Sequence, residues 1–457
     1  MSTELLAPLD LAFWHLESTG HPMHLGALAH FAPAPDGTGH DDIPGLLAAR
    51  AGAIRRLRMR VRDVLLPVGG AAWSVDKDFD VGHHIRHIRG VGGALPAADF
   101  DRAVAEIAGE LMERPIERGR PPWEMYLLTR EPGGPFAVLV KLHHALADGM
   151  RAVAIGAGIF DEVAGPRGLR GRPARLAPAG MSLRDPLGLL GFARDRIDDL
   201  GRAVGVGASV VRASRLDPSG LPALTAAPSG TRRIGTAAFE LADVHRVRRE
   251  SGGTVNDILL AVVAGGLRRW AVERGEPLPA TGPRALVPVS RRRPGGPPRS
   301  GNELSAYLLE LPVGEPDARA RLAAVRTAMD RNKAAGPLRG AGALAVLADQ
   351  LPPLAHRFGA PLAGGAARML FDILVTSVPL PRSALSLGGC PLRAICPMAP
   401  LARGQALAVA LTTYGGRVHV GLVADGKAIP DVDRLARSLH DELNALTGPA
   451  PERPPGE

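Results

Sequence analysis

The sequence predicts a mixed α/β protein of two similar halves, residues 1–164 and 233–457, joined by a crossover linker over 165–232. Three observations carry that prediction. Short apolar, strand-like runs alternate with stretches of helical periodicity in each half. Between about Gly165 and Arg232, proline, glycine and arginine dominate, as they do in connections rather than packed layers. The chain is 457 residues long, too many for one ordinary core.

In the first half, Leu25–Phe31 (LGALAHF) reads as a strand, and a helix over Gly45–Leu57 opens behind Pro44. Ala72–Val75 is a short strand. Ala97–Glu113 sets apolar residues at helical spacing with acids early, the charge order a helix dipole favours. Tyr126–Thr129 and Phe136–Leu142 (FAVLVKL) are strands, the second a continuous buried run. After His143–Gly149 a helix spans Met150–Val163. In the linker an amphipathic stretch, Leu187–Arg212, separates two turn-rich segments. The second half resumes with a strand at Gly235–Leu241 and a long helix over Thr254–Trp270. Strands follow at Ala285–Val289, Leu304–Leu311, Leu407–Thr412 and Val418–Asp425, and a helix over Asp431–Leu446 closes the fold.

Composition narrows the function. The hydrophobic share of 46% supports a large core, and the aromatic share of 4% makes that core mostly aliphatic. The formal charge is +9, with lysine only at Lys77, Lys141, Lys333 and Lys427, so the basic surface is arginine. Such a surface favours anionic partners. Nucleic acid is not expected, because no zinc-finger spacing, aromatic RNA-binding signature or continuous basic helix occurs. Cys390 and Cys396 are too few for a disulfide framework or a zinc site. The first residues carry Glu4 and Asp10 and no basic leader, and no run reaches the ~18 apolar residues of a membrane span. The expectation is a cytoplasmic protein that meets a membrane only at its surface, with no metal and no bound cofactor.

The densest polar cluster beside an apolar strand is Lys141-Leu142-His143-His144-Ala145-Leu146-Ala147-Asp148-Gly149. An imidazole is the natural general base near neutral pH, and a strand end holds it more firmly than a loop. Asp148 can organise the turn by pairing with an arginine and accepting backbone N–H bonds, and Gly149 would let the backbone turn sharply. The plain alternative is a packed histidine pair with Asp148 as N-cap of the following helix. His83-His84 serves as an internal control: it has no Asp-Gly at the matching distance and reads as structural or surface. No Gly-x-Ser-x-Gly elbow, phosphate-cradling loop, His-Glu-x-x-His helix or dinucleotide fingerprint is present.

His-His-x-x-x-Asp-Gly at 143–149 matches the signature of the coenzyme A-dependent acyltransferase superfamily. The whole chain resembles one branch, the bacterial wax ester synthase/diacylglycerol acyltransferase family. The resemblance rests on Pro8-Leu9-Asp10, Phe13, Glu17 and Pro22-Met23-His24-Leu25-Gly26 near the start. It continues through Arg120-Pro121-Pro122-Trp123-Glu124, where Pro122 replaces the family's Leu, and through Thr254-Val255-Asn256-Asp257. Arg284–Ser290, Gly301-Asn302, Tyr414-Gly415-Gly416, Gly421-Leu422 and Asp425 complete it. One departure stands out: Ser377-Val378-Pro379-Leu380-Pro381 occupies the place of the family's Asn-Val-Pro-Gly-Pro.

The resemblance implies two chloramphenicol-acetyltransferase-like α/β domains with an active-site tunnel between them. It implies that acyl-CoA is the donor substrate, that diacylglycerol or a long-chain alcohol is the acceptor, and that a membrane or lipid-droplet surface is a peripheral partner. His144 is then the general base, His143 orients its loop, and Asp148 is structural with Arg284 as a partner. Asn256, with Asp257, is a candidate for the oxyanion or the tunnel wall, or for the N-cap of its helix. Arg291-Arg292-Arg293 could meet the phosphates of coenzyme A or form a solvated loop, and Leu344–Leu374 could face a membrane or the core. Two rival readings remain: a same-fold acyltransferase that takes a polyketide, sugar or peptide substrate and a carrier-protein thioester, and a catalytically silent lipid-binding protein.

Overall fold

The computed structural model describes residues 4–35, 42–93, 96, 99–162, 220–224, 229–290, 304–335, 357 and 369–448. Leu187–Arg212, Arg291-Arg292-Arg293, Gly301-Asn302 and most of Leu344–Leu374 lie outside the described residues.

The first half begins with β1 (Glu4–Leu5) and α1 (Pro8–Leu16), whose Pro8 sits in the first turn, where its missing N–H costs nothing. β2 (His24–Phe31) follows. α2 (Ile43–Ala53) is capped by Asp42, which accepts the Gly45 N–H at 2.8 Å. It stops four residues short of the predicted end because a 3₁₀ turn, Arg55–Arg58, leads into β3 (Met59–Asp63). β4 (Ala71–Val75) and β5 (Ile85–Ile88) precede α3 (Phe100–Glu113), which buries one apolar face. β6 (Trp123–Thr129) and β7 (Phe136–His143) form a hairpin. α4 (Gly149–Ile159) ends earlier than the sequence suggests, since Phe160 turns extended and the chain forms β8 (Asp161–Glu162).

In the second half β9 (Arg232–Glu240) leads into α5 (Leu241–Ser251) and α6 (Val255–Glu273). Ile258–Leu267 of α6 is apolar all round and accordingly buried. β10 (Arg284–Ser290), β11 (Leu304–Glu310), α7 (Ala318–Ala335), β12 (Ile373–Ser377), β13 (Leu385–Leu387), β14 (Cys390–Met398), β15 (Leu407–Tyr414), β16 (Arg417–Asp425) and α8 (Val432–Thr447) complete the order.

Two large sheets result. One runs β11-β10-β12-β15-β16-β9, and the other runs β5-β6-β7-β2-β14-β13-β8. β13 and β14 therefore come from the second half of the chain and complete the sheet of the first. A small sheet, β1-β4-β3, stands beside the latter. On the outer face of the first sheet, α6, α7 and α8 bury an aliphatic core including Leu260, Val325 and Leu439. On the outer face of the second, α1, α2, α4 and the small sheet pack around Leu47, Trp73 and Val138. The inner faces meet through Leu28, Leu139, Met398, Ala408 and Val423, with α3 packed against them. Contact is tightest where β14 crosses β16: a Cβ built on Gly421 would lie 1.9 Å from the Pro397 carbonyl oxygen, so only glycine fits there.

Candidate active site

β7 is an interior strand, paired antiparallel to β6 on one side and to β2 on the other, with His143 opposite His24. Its aliphatic run makes it a rigid support, and its end delivers the histidine pair. The backbone there is tied on both sides: His143 N–H donates to the Pro122 carbonyl at 3.0 Å and His144 N–H to the Met23 carbonyl at 2.7 Å. Lys141 is wholly buried beneath the pair. Its ammonium donates to the Leu111 and Arg114 carbonyls and to Glu124 Oε2, fastening the C-terminal end of α3, where a cation suits the helix dipole, to β6 and β7. Burial lowers the Lys141 pKa, against the pull of Glu124.

The His144 ring stacks on Phe13 with centroids 3.9 Å apart, which aligns it from below. The ring is half-buried and lines a cavity of about 270 Å³. Burial pushes its pKa down to about 4, and the nearby Asp148 carboxylate pulls weakly the other way. The imidazole is thus neutral at pH 7, the form a general base requires.

His143 plays a different part. Its Nδ1 accepts the Ala145 N–H at 3.0 Å, which assigns the proton to Nε2. That nitrogen stands 3.5 Å from Glu17 Oε1, and Trp14 packs edge-on to the ring. The same carboxylate lies 3.3 Å from His24 Nε2, and its other oxygen accepts from Arg118 at 3.1 Å. Burial raises the Glu17 pKa, but the contacts with His143 and His24 outweigh it and hold the carboxyl well below its ordinary range. His24 is itself pushed down to about 4 by burial, against the pull of Glu17. Glu17 and Phe13 entered the sequence analysis only as family residues. Their contacts with the histidine pair follow from α1 folding back under β7, which no local pattern announces.

Asp148 is buried and caps α4, with Oδ1 accepting the Arg151 N–H at 2.7 Å. Gly149 does not have the left-handed φ that a sharp turn at this residue would require. It is the first residue of α4, and an added Cβ would meet Val378 at 3.4 Å on the cavity wall. Arg284 donates its backbone N–H to Asp372 Oδ2 and its guanidinium to the Leu370 carbonyl, tying β10 to the chain that leads into β12. Thr254, not Asn256, is the N-cap of α6, and Thr254 and Asp257 form a reciprocal capping box. Asn256 is half-buried in that first turn, and neither it nor Asp257 lines the His144 cavity. In the control pair, His84 is buried, stacks on Trp123 and bonds to its carbonyl at 2.8 Å, while His83 is exposed beside Asp80.

The cavity lies between the two sheets. α4, β2, β7 and β14 line one side, and Pro288, Leu374, Ala410 and Thr412 of β10, β12 and β15 line the other. Its walls are overwhelmingly aliphatic. Besides His144 and Asp148, the polar side chains on it are Thr376, Ser377 and Thr412, and the Thr412 hydroxyl donates to the Val378 carbonyl at 2.6 Å. The threonines were missed from sequence. Alternation along β12 and β15 was the available signal: Ile373 and Val375 face the helices, so Leu374 and Thr376 face inward. A neutral histidine on an apolar cavity can take a proton from a hydroxyl that has been drawn out of water.

Known proteins share this sequence pattern and this fold. Residues 6–259 match the wax ester synthase/diacylglycerol acyltransferase catalytic domain, and residues 300–447 match the WS/DGAT C-terminal domain. A probable diacylglycerol O-acyltransferase of Mycobacterium tuberculosis is 30% identical over 460 residues, covering 96% of this chain and 95% of that protein. The solved wax ester synthase/diacylglycerol acyltransferase of Marinobacter aquaeolei VT8 superposes with a TM-score of 0.69 at 24% identity, covering 97% of this chain and 98% of that one. The starter condensation domain of rhizomide synthetase shares the fold at a TM-score of 0.55 and 14% identity, over 98% of this chain and 95% of that one. The two-sheet architecture, the cavity at the end of β7 and these matches together show that the chain belongs to the wax ester synthase/diacylglycerol acyltransferase family and is an acyltransferase.

Proposed function

We propose that the protein transfers a fatty acyl group from acyl-CoA to diacylglycerol or a long-chain alcohol, giving triacylglycerol or wax ester, with His144 as general base. The observation that carries this reading is a neutral, half-buried histidine on a largely aliphatic cavity walled by both sheets. Such walls favour alkyl chains over sugars or peptides, which would strand polar groups there. The names of the relatives favour the same substrates.

In this mechanism the acceptor hydroxyl gives its proton to His144 Nε2 as its oxygen bonds to the thioester carbonyl carbon. The tetrahedral intermediate collapses, the carbon–sulfur bond breaks, and the coenzyme A thiolate takes the proton back from His144. The reaction balances with acyl-CoA as a substrate and needs no resident cofactor or metal. With the Thr412 hydroxyl committed to Val378, Thr376 and Ser377 are the side-chain hydroxyls proposed to face the oxyanion. Asp148 and Glu17 hold the base and its neighbour in place.

The test is transfer from radiolabelled palmitoyl-CoA to hexadecanol and to a diacylglycerol, for the native protein and His144→Ala. The native protein should form ester with at least one acceptor, and the variant should lose roughly 10²–10⁴-fold in rate, the range for a general base. No product with either acceptor would remove this substrate assignment and favour a carrier-protein donor. Full activity in His144→Ala would remove the mechanism.

A further inference from the structure

The most exposed large hydrophobic side chains among the described residues are not at the cavity. They stand at the tip of the β3–β4 hairpin, where Leu65 is 93%, Leu66 80% and Val68 57% exposed. The tip is held in shape by Val64 N–H donating to the Gly70 carbonyl and Gly70 N–H to the Pro67 carbonyl. The loop therefore presents Leu65, Leu66 and Val68 to water, at a cost that no contact among the described residues offsets. Leu5, on the neighbouring strand of the same small sheet, is 45% exposed.

The surroundings indicate what covers the tip. Arg62 is exposed on the strand that leads into it. Arg118 lies exposed over Trp14 of α1, where it also bonds to Glu17, and Asp63 is an exposed acid beside Arg62. β1, which leads directly into α1, pairs with β4 of the hairpin, and Phe13 of α1 stacks on His144. The hairpin thus stands next to the helix that supports the catalytic base. Met150, an exposed apolar residue at the start of α4, lines the cavity itself.

We propose that the Val64–Gly70 tip is a membrane anchor, inserted between the headgroups of an anionic bilayer while Arg62 at its base meets the lipid phosphates. A narrow convex tip buries little area against a folded protein that lacks a matching pocket, whereas a bilayer accepts any apolar tip of this size. Arginine forks suit phosphate oxygens. The purpose of the contact rests on the lipid substrates proposed above, since it sets the cavity beside the phase in which they dissolve. The contact itself needs no turnover.

The test is co-sedimentation of the full chain with phosphatidylcholine vesicles, with and without phosphatidylglycerol. The native protein should bind the anionic vesicles, and Leu65→Ser/Leu66→Ser should bind at least ~30-fold more weakly, as expected for two leucines kept out of an apolar phase. Acyl transfer between detergent-dispersed substrates should be unchanged in that variant. As a second probe, Leu65→Trp should shift its emission to the blue when anionic vesicles are added, over a constant background from the buried Trp14, Trp73, Trp123 and Trp270. No vesicle binding by the native protein, equal binding by the double serine variant, or no shift from Leu65→Trp would overturn the proposal. So would a double variant that changes only the oligomeric state, which would make the tip a contact between copies of this chain. Vesicle binding without ester formation would leave the anchor standing and sink the substrate reading, and the converse result would do the reverse.

Discussion

Replacing Glu17 by glutamine removes one negative charge from behind the His143–His144 pair and leaves the side chain's size almost unchanged. The native carboxylate is buried and makes three contacts: His24 Nε2 at 3.3 Å, His143 Nε2 at 3.5 Å and Arg118 Nη2 at 3.1 Å. Of these only the Arg118 contact is a hydrogen bond, worth ~1.5–3 kcal/mol to a charged group, and the histidine contacts are electrostatic, so Glu17→Gln should cost about 2 kcal/mol of stability. Glu17→Ala also leaves a void beside two buried imidazoles and should cost about 3–4 kcal/mol. The catalytic effect is separate. His143 would keep its Ala145 anchor and lose the other, so its loop loosens without leaving the site. A displacement of ~1 Å near reacting atoms costs ~10²-fold, and a partial release should cost about 10-fold in kcat with little change in KM. Urea unfolding and steady-state kinetics on Glu17→Gln, Glu17→Ala and Glu17→Asp measure both quantities, with partial rescue expected in the aspartate variant. Because folding lowers the Glu17 pKa from 4.5, its stabilisation is complete above that pH and is lost as pH falls below it. The stability gap between native and glutamine forms should therefore stay constant from pH 8 to about 5 and narrow in stronger acid. A glutamine variant with native kcat and stability within ~0.5 kcal/mol would refute the positioning role.

Two further outcomes follow from buried charge. With His144 titrating at about 4, the acid limb of kcat/KM should fall near pH 4 rather than 6.5, and a limb near 6.5 would mean the ring is solvated in the working enzyme. His144 and His24 are both held neutral, so the unfolded chain binds more protons than the native one between pH 6.5 and 4. The native protein should lose stability across that window, on the order of 2–3 kcal/mol for each histidine, and a flat stability profile there would contradict their burial. In the helix layer, Glu442 is wholly buried and bonds to Arg321 at 2.5 Å and Arg269 at 3.0 Å. Glu442→Ala should cost ~3–5 kcal/mol by leaving Arg321 buried without that partner, and an unchanged melting temperature would show that water compensates it.

The elements read most easily from the sequence are those whose burial is periodic or continuous. β7 is an unbroken aliphatic run and was legible at once, as were β2, β16 and α6. β14 was not, because Cys390–Met398 contains Pro391 and Pro397 and reads as a broken segment. It forms a strand because β2 and β13 pair with it on either side. α5 and α7 were passed over because their surfaces are largely charged, and only packing against α6 reveals their buried stripes.

The site divides in the same way. His143, His144, Asp148 and Gly149 are close in sequence, so their spacing and the strand before them were enough to single them out. The capping role of Asp148 stood among the readings as well, since capping is a local interaction. The rest depends on distant segments meeting. Asn256 was weighed as the N-cap of its helix, but the capping box with Asp257 uses Thr254. Glu17 reaches His143 only because α1 folds under β7. Thr376 and Thr412 reach the cavity only because the second sheet turns its inner face to the first. Periodicity and short-range spacing are enough to read the mixed α/β class and the residues of the histidine turn. Tertiary structure alone decided that strands of the second half complete the sheet of the first, that a carboxylate backs the histidine pair, and that the cavity is walled from both sheets. Those contacts join residues hundreds of positions apart, and the surface that makes them favourable exists only once both sheets have formed.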